Sequence, residues 1–160
     1  MINSTDICIN FNKQIYVSRD LTYGRRKKPA AVHVAASAIA DYIEAFHTLL
    51  DLPSGLNFRI ARIKGSYSGK YASETKTVII SPLFTWDSLI NTLAHELVHA
   101  EQYHQGRLAH VFHKKKGWLH HWKGELNTSK GKTYNSYRNQ PWEIEAFDRA
   151  PVLVRQVNKI

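Results

Sequence analysis

The spacing of apolar residues divides much of the chain into predicted helices and strands. Between Pro29 and Leu50 the apolar residues recur at helical spacing, which predicts one long helix. Residues 56–63 alternate between apolar and polar side chains, and residues 76–81 form a short run rich in β-branched residues. Both patterns are typical of strands. A shorter strand is predicted at residues 14–17.

Two further helices are predicted in the second half of the chain. Thr85 or Asp87 is a suitable N-terminal cap, because both side chains accept hydrogen bonds from the first turn of a helix. Gly106 is a suitable end for that helix, since glycine readily adopts the left-handed conformation. The last helix is expected to begin at Pro141, capped by the residue before it or by Asn139, and to end at Pro151.

Residues 107–138 lie between these two helices and are rich in Lys, Gly, His and Asn. They predict a basic loop with one hairpin around residues 119–126. The whole set of elements predicts an α+β fold. A length of 160 residues fits a single domain covering residues 1–160.

Composition excludes several classes of protein. Cys8 is the only cysteine, so an internal disulfide and a cysteine-based zinc cluster are both excluded. No run approaches the roughly 20 apolar residues that span a bilayer. The first residues lack a basic segment followed by an apolar run, as a signal peptide would have. We therefore expect no membrane partner and a cytoplasmic location.

The formal net charge is +9, and it is unevenly distributed. Between Arg107 and Arg138 the basic residues are opposed only by Glu125. Such a density predicts a surface for nucleic acid or another polyanion. A solvated surface that keeps the protein soluble is the equally weighted alternative.

The predicted helix after Thr85 carries the pattern H-E-x-x-H. At about 100° per residue, His95 and His99 lie one turn apart on the same face, and apolar residues occupy the opposite face. Two imidazoles at this spacing can bind one zinc ion, at about 2.0–2.1 Å from each nitrogen. Glu96 lies beside them, where it can take a proton from a metal-bound water.

This motif and its surroundings resemble the zincin metallopeptidases, and more narrowly the small metallopeptidases encoded by tailed bacteriophages and prophages. The resemblance covers residues 56–150 and rests on three segments: His95–Tyr103, Trp122–Gly124 and Tyr137–Ala146. It implies a minimal zincin-like domain, in which the long N-terminal helix and a small mixed sheet pack on the H-E-x-x-H helix. A downstream helix would carry the third ligand. For a phage-encoded protein, the location would be the cytoplasm of a bacterial host.

A catalytic zinc needs a third protein ligand and an open position. Glu143 shares a helical face with Ala146, Phe147 and Ala150, so its carboxylate is expected to point inward, where a metal ion would compensate its burial. The resemblance to glutamate-type zincins also favours Glu143, because their third ligand is a Glu three residues before an Ala. Those proteins frequently have an Asp directly after that Ala, and Phe147 stands there in this chain.

A third histidine is the alternative to Glu143. His110 or His113 follows the H-E-x-x-H motif at a distance similar to that in the SprT-like proteases, which use three histidines and act on DNA-bound proteins. His104 falls on the apolar side of its helix and is discarded. The weaker candidates are His120 and His121.

The expected function is that of a zinc-dependent metallopeptidase with one zinc per chain, held by His95, His99 and Glu143, with Glu96 as the general base. The resemblance implies that a strand at the rim of the site pairs with an extended protein or peptide substrate, and residues 71–73 or 78–81 are the candidates. Two alternatives stay open: a SprT-like DNA-associated protease, and a non-catalytic basic nucleic-acid-binding protein on a zincin scaffold.

Overall fold

The computed structural model describes residues 7–9, 15–17, 29–61, 63, 67–81, 85–115, 117–127 and 133–159, and within these ranges it describes the side chains from residue 38 onward except that of residue 118. The described elements form an α+β fold, as predicted. In chain order they are β1 (Ile7–Ile9), β2 (Ile15–Val17), α1 (Pro29–Leu49), β3 (Asn57–Ile60), β4 (Gly69–Ala72), β5 (Thr77–Ile80), α2 (Trp86–His104), β6 (Leu108–His113), β7 (Gly117–Trp122), β8 (Glu125–Asn127), α3 (Tyr134–Arg138) and α4 (Pro141–Val157).

The larger sheet has five strands in the order β2-β1-β3-β5-β4. β3 and β5 are parallel, and the other neighbouring pairs are antiparallel. The strands predicted at residues 14–17, 56–63 and 76–81 are confirmed as β2, β3 and β5. The core contains buried apolar residues of β3, β5 and helices α1, α2 and α4. β4 forms one edge of the sheet and contacts α2, so an open strand edge lies beside the helix that carries the H-E-x-x-H motif.

Helix α2 begins and ends at the predicted residues. The Thr85 hydroxyl accepts a hydrogen bond from the Ser88 N–H at 3.4 Å, and Gly106, with φ of +67°, follows the C-terminal cap. His104 follows Leu97 and Ala100 at helical spacing, as predicted, but it is exposed. The last turn of α2 extends past the apolar core, whose final member on this helix is Ala100.

Helix α4 begins at Pro141 as predicted, with Gln140 in the cap position but without a side-chain cap hydrogen bond. The prediction that Pro151 ends the helix was wrong, because α4 continues through Pro151 to Val157. A proline inside a helix removes one backbone hydrogen bond and crowds the preceding turn. Burial beyond it offsets this cost, since Leu153 is buried in the core and Val157 packs against it.

The region between α2 and α4 is more ordered than a basic loop with one hairpin. The hairpin expected around residues 119–126 is present as β7 and β8, but β6 precedes it and completes a three-stranded antiparallel sheet. In this sheet His110 lies opposite His120. None of the helices described in the structure has the length and apolar character needed to cross a membrane.

Four charged side chains join the end of α2 to α4. The carboxylate of Glu101, which is only 6% exposed, accepts hydrogen bonds from Arg107 Nη2 at 2.8 Å and from Arg149 Nη2 at 2.9 Å. Glu145 accepts from Arg107 Nη1 at 2.6 Å and from Arg149 Nη1 at 2.9 Å. The two acidic and two basic groups balance, so a nearly buried carboxylate on α2 is compensated by arginines that also hold α4.

We expect Glu101→Gln to destabilise the protein by about 1–3 kcal/mol, the range for a lost hydrogen bond to a charged group. The loss should stay below the roughly 3–5 kcal/mol of a fully buried pair, because the side chains of Arg107 and Arg149 are 23% and 35% exposed. The measurement is urea unfolding in the presence of a metal chelator, so that metal affinity does not contribute. Glu125→Gln, on the exposed strand β8, is the control. Equal free energies of unfolding for the two variants would show that this ion network does not stabilise the fold.

Candidate metal centre

Three side chains from two helices meet at one point. His95 and His99 lie one turn apart on α2, and their Nε2 atoms are 3.2 Å from each other. The first turn of α4 places Glu143 opposite them, with Oε2 at 3.2 Å from His95 Nε2 and Oε1 at 3.4 Å from His99 Nε2. All three residues are buried. The inward direction predicted for Glu143 is therefore observed, although the two helices are far apart in the chain.

The donor set fits a metal ion. Two imidazole nitrogens and one carboxylate oxygen lie within 4.8 Å of one another. Glu143 Oε2 is buried and has no hydrogen-bond partner among the described residues, since His95 Nε2 is close to it without the alignment of a hydrogen bond. A buried carboxylate oxygen without a partner is costly, and a cation between the three groups would remove that cost. His95, His99 and Glu143 can thus hold a metal ion.

The orientation of the His99 ring is set by Gln102. The Gln102 Nε2 group donates to the Trp142 carbonyl at 3.0 Å, so its Oε1 must be the atom that faces His99 Nδ1 at 2.8 Å. An amide oxygen only accepts, so Nδ1 carries the hydrogen and Nε2 is left as the metal-binding nitrogen. No sequence pattern singled out Gln102. Its position one helical turn after His99 is the signal that could have found it.

His95 is held differently, by packing. The ring of Phe147 lies against it, with centroids 4.6 Å apart, and the guanidinium of Arg138 lies 4.3 Å from the centre of the same Phe147 ring. Phe147 is the residue directly after Ala146, a position where the family expected from the sequence frequently has an Asp. In this chain an aromatic ring, rather than a carboxylate, contacts the first histidine of the motif.

Glu96 is buried beside the three ligand candidates without being one of them. The backbone N–H of Tyr71, on β4, hydrogen-bonds to its carboxylate, and burial raises the pKa of Glu96 against the lowering effect of the nearby imidazoles. Space for this carboxylate depends on Gly69. A Cβ atom at Gly69 would lie 2.9 Å from Glu96 Oε1 and 2.6 Å from Thr92 Cγ2, which is too close for either atom. A glycine in β4 thus lets the edge strand approach Glu96.

The electrostatics of the group favour a positive charge at its centre. Burial alone would lower the pKa of His99, but its contact with Glu143 and the nearby charge of Glu96 outweigh burial and raise that pKa to about 9. Burial alone would raise the pKa of Glu143, but the facing imidazoles and a hydrogen bond from Tyr137 lower it to about 2. Two buried carboxylates thus surround the Nε2 atoms, where a proton and a metal ion compete for the same nitrogen.

A pocket of about 200 Å³ opens from Glu96, His99 and Glu143 and runs between β4 and the β6–β7 hairpin. His110, one of the alternative third ligands, lines this pocket, but its Nε2 lies 2.9 Å from the Tyr103 hydroxyl and it is not in the metal-ligand group.

The remaining histidine candidates lie outside that group as well. His120 also lines the pocket. His113 is exposed at the end of β6, and His121 is half-buried on β7. Among the described residues, Glu143 and not a third histidine completes the group formed by His95 and His99.

The described basic residues between Arg107 and Arg138 have different surroundings. Arg107 is taken up by the ion network, and the amino group of Lys123 lies 5.3 Å from the centre of the Trp122 ring. Lys114 and Lys115 are exposed in the turn after β6. The other lysines of the segment, Lys116, Lys130 and Lys132, lie outside the described residues.

Comparisons with known proteins identified no similar protein. A scan for protein families, a search of curated proteins and a search of solved structures each found no match. The function of this chain is therefore inferred from the chemistry of its site.

We expect Gln102→Leu to lower the metal affinity by about 10–100-fold, the usual effect of removing a group that orients a ligand histidine. Gln102→Glu keeps an acceptor for His99 Nδ1 but loses the donor to the Trp142 carbonyl, so it should bind Zn²⁺ more tightly than Gln102→Leu and less tightly than the parent. A competition titration of Zn²⁺ against a chromophoric chelator measures both variants. Gln156→Leu, the same substitution at an exposed position of α4, is the control. If Gln102→Leu binds Zn²⁺ as tightly as Gln156→Leu, Gln102 does not orient His99.

Proposed function

We propose that this protein is a zinc-dependent metallopeptidase. The observation that carries the proposal is the position of Glu96, a buried carboxylate that lines the same pocket as His99 and Glu143 without joining the metal-ligand group. A site built only to store or sense a metal has no need for an additional carboxylate aimed into an adjoining pocket. A hydrolytic site needs such a group as its general base.

Zinc is the metal that this donor set favours. Two histidines and one glutamate form one of the three-ligand sets of catalytic zinc sites, which leave a further position open. Imidazole also suits copper, iron and nickel, so metal analysis of the purified protein is the direct test of identity. We expect one zinc ion per chain, held by His95, His99 and Glu143.

Several residues of the chain would have separate roles in hydrolysis. Zinc bound at this site would supply Lewis acidity, polarising a substrate carbonyl and lowering the pKa of a water ligand toward about 7. Glu96 accepts the proton of the attacking water on its carboxylate and passes it to the leaving amine. The Tyr71 N–H holds that carboxylate in place. Gln102 keeps the His99 Nε2 atom turned toward the metal position.

The open edge of β4 is suited to an extended peptide. Of the two candidate rim strands, β4 (Gly69–Ala72) is the one at the edge of the sheet, whereas β5 (Thr77–Ile80) is paired on both sides. Gly69 and Tyr71 both line the pocket. A peptide added along this edge would pair with backbone groups of β4 and would run past Glu96, whose carboxylate accepts from the Tyr71 N–H.

We expect Glu96→Gln to retain zinc and the fold while peptide hydrolysis falls by at least the roughly 10²–10⁴-fold contributed by a general base. Glutamine has nearly the same volume and still accepts the Tyr71 hydrogen bond, but it does not take up the proton. His99→Ala should lose both zinc and activity, because only two ligands remain. Zinc content and hydrolysis of a mixed peptide library are measured on the same preparations.

Glu125→Gln is the matched control for that experiment, because Glu125 is an exposed carboxylate on β8 and does not line the pocket. It should keep both zinc and activity. Turnover by Glu96→Gln at the parental rate would reject the general-base mechanism. Parental protein that holds zinc but cleaves no peptide of the library would reject the peptidase function.

A further inference from the structure

The pocket continues well beyond the metal-ligand candidates. We name its far part the aromatic end, and define it by residues of β4, α2, the β6–β7 hairpin and α4. They are Tyr71, Tyr103, Leu108, His110, His120 and Trp142. Five of these six side chains carry a ring, and the sixth is aliphatic. The aromatic end therefore differs in character from the end formed by Glu96, His99 and Glu143.

The rings of the aromatic end contact one another in series. The ring centroids of Tyr71 and Tyr103 are 5.6 Å apart, and those of Tyr103 and His110 are 5.4 Å apart. His110 meets His120 at 4.3 Å, and His120 stacks on Trp142 at 4.7 Å with only 23° between the planes. Tyr103, His110 and His120 each contact a ring on both sides in this series, so the wall is already in place before a ligand enters.

The aromatic end carries no formal charge. Burial lowers the pKa of His110, and burial with the neighbouring His110 lowers the pKa of His120 to about 4, so both rings are neutral near pH 7. Glu96, Glu143 and the exposed Lys70 of β4 also line the pocket, and the charge of Glu143 acts on Tyr103 and His120. The charge of Glu74 acts on Tyr71, Tyr103 and His110. An anionic side chain placed among these rings would lose water and would be repelled by the nearby carboxylates, which is unfavourable. An uncharged aromatic ring avoids this desolvation cost.

The size of the pocket limits the ligand to a single side chain. Pockets that enclose a drug-sized molecule measure roughly 300–1,000 Å³, whereas this one measures about 200 Å³. Aromatic side chains gain from edge-to-face and offset contacts with other rings in addition to the area they bury. Rings on several sides therefore favour an aromatic side chain over an aliphatic one of similar volume.

We propose that the aromatic end is a specificity pocket that takes one aromatic side chain of the substrate, next to the peptide bond that is cleaved. The cleavage part rests on the proposed peptidase function, but binding of the side chain does not and can be measured without turnover. His110 and His120 are then specificity-determining residues supplied by the hairpin, not by the helices that hold the metal.

Strand β6 offers a matched pair of substitutions. His110 and its neighbour Val111 are both exposed residues of β6, but only His110 lines the pocket, because Val111 projects from the opposite face of the strand. His110→Glu places a carboxylate beside the aromatic end. Val111→Glu makes a negatively charged substitution on the same strand, outside the pocket. A change seen only with His110→Glu is therefore due to the pocket and not to the added charge.

The first experiment measures binding alone. Immobilised zinc-loaded Glu96→Gln protein is incubated with short peptides that are blocked at both ends. One position of each peptide holds a chosen residue, and the positions around it are random. Retained peptides are identified by mass spectrometry. Phe, Tyr and Trp at the fixed position should be enriched at least tenfold over Ala, because loss of a buried ring is costly. Equal retention of Ala, or a preference for Lys or Arg, would overturn the proposal.

The second experiment tests whether a substitution at His110 changes which side chain the pocket prefers. In the Glu96→Gln background, His110→Glu should reduce the enrichment of aromatic residues at least tenfold and enrich Lys and Arg at the same position. Val111→Glu should keep the aromatic preference. Identical profiles for the two variants would overturn the role of His110.

Cleavage by the parental protein separates the two proposals. Cleavage without an aromatic residue next to the cut bond rejects the specificity pocket and leaves the peptidase function. Selective retention of aromatic peptides without any cleavage rejects the peptidase function and leaves the binding pocket. A protein that neither retains nor cleaves any of these peptides rejects both.

Discussion

The close packing of α2 against α4 is the constraint on which the candidate site depends. His95 and His99 are on one helix and Glu143 is on the other, so the three donor atoms meet only if the two helices keep their relative position. Small residues allow that approach, since Ala146 and Ala150 of α4 are completely or almost completely buried. Polar contacts also hold the pair: Gln102 of α2 donates to the backbone of α4 at Trp142.

Two of the three buried acidic groups on this helix pair, Glu101 and Glu143, are compensated in different ways. Glu101 is neutralised by arginines, whose guanidinium groups are well suited to carboxylates and stay charged at any physiological pH. Glu143 faces imidazoles, which titrate and can instead give their lone pairs to a metal. The ion network therefore serves as fixed structural compensation, whereas the His95, His99 and Glu143 group leaves a place that a proton or a metal ion can take.

The elements around this helix pair shape the rest of the site. The edge strand β4 reaches Glu96 because Gly69 has no side chain. The β6–β7 hairpin, which the sequence predicted only as part of a basic loop, closes the other side of the pocket with two histidines. Its strands were hard to recognise because β6 is largely exposed and β7 has histidines and glycine among its residues, so neither shows the simple alternation of a half-buried strand. Their order comes from pairing with each other.

Local spacing was sufficient for the parts of the protein that depend on neighbours along the chain. The long helix α1, the strands β3 and β5, the caps of α2 and the shared face of His95 and His99 all follow from periodicity and cap chemistry, which act over a few residues. The inward direction of Glu143 followed in the same way from its helical face. Only tertiary structure decided that Glu143 rather than His110 or His113 completes the group, that Gln102 orients His99, and that α4 continues through Pro151. Each of these three features depends on burial or on a contact between elements that are distant in the chain. The spacing of residues in the sequence carries no information about the free energy of burying a carboxylate, an amide or a helix turn against such an element.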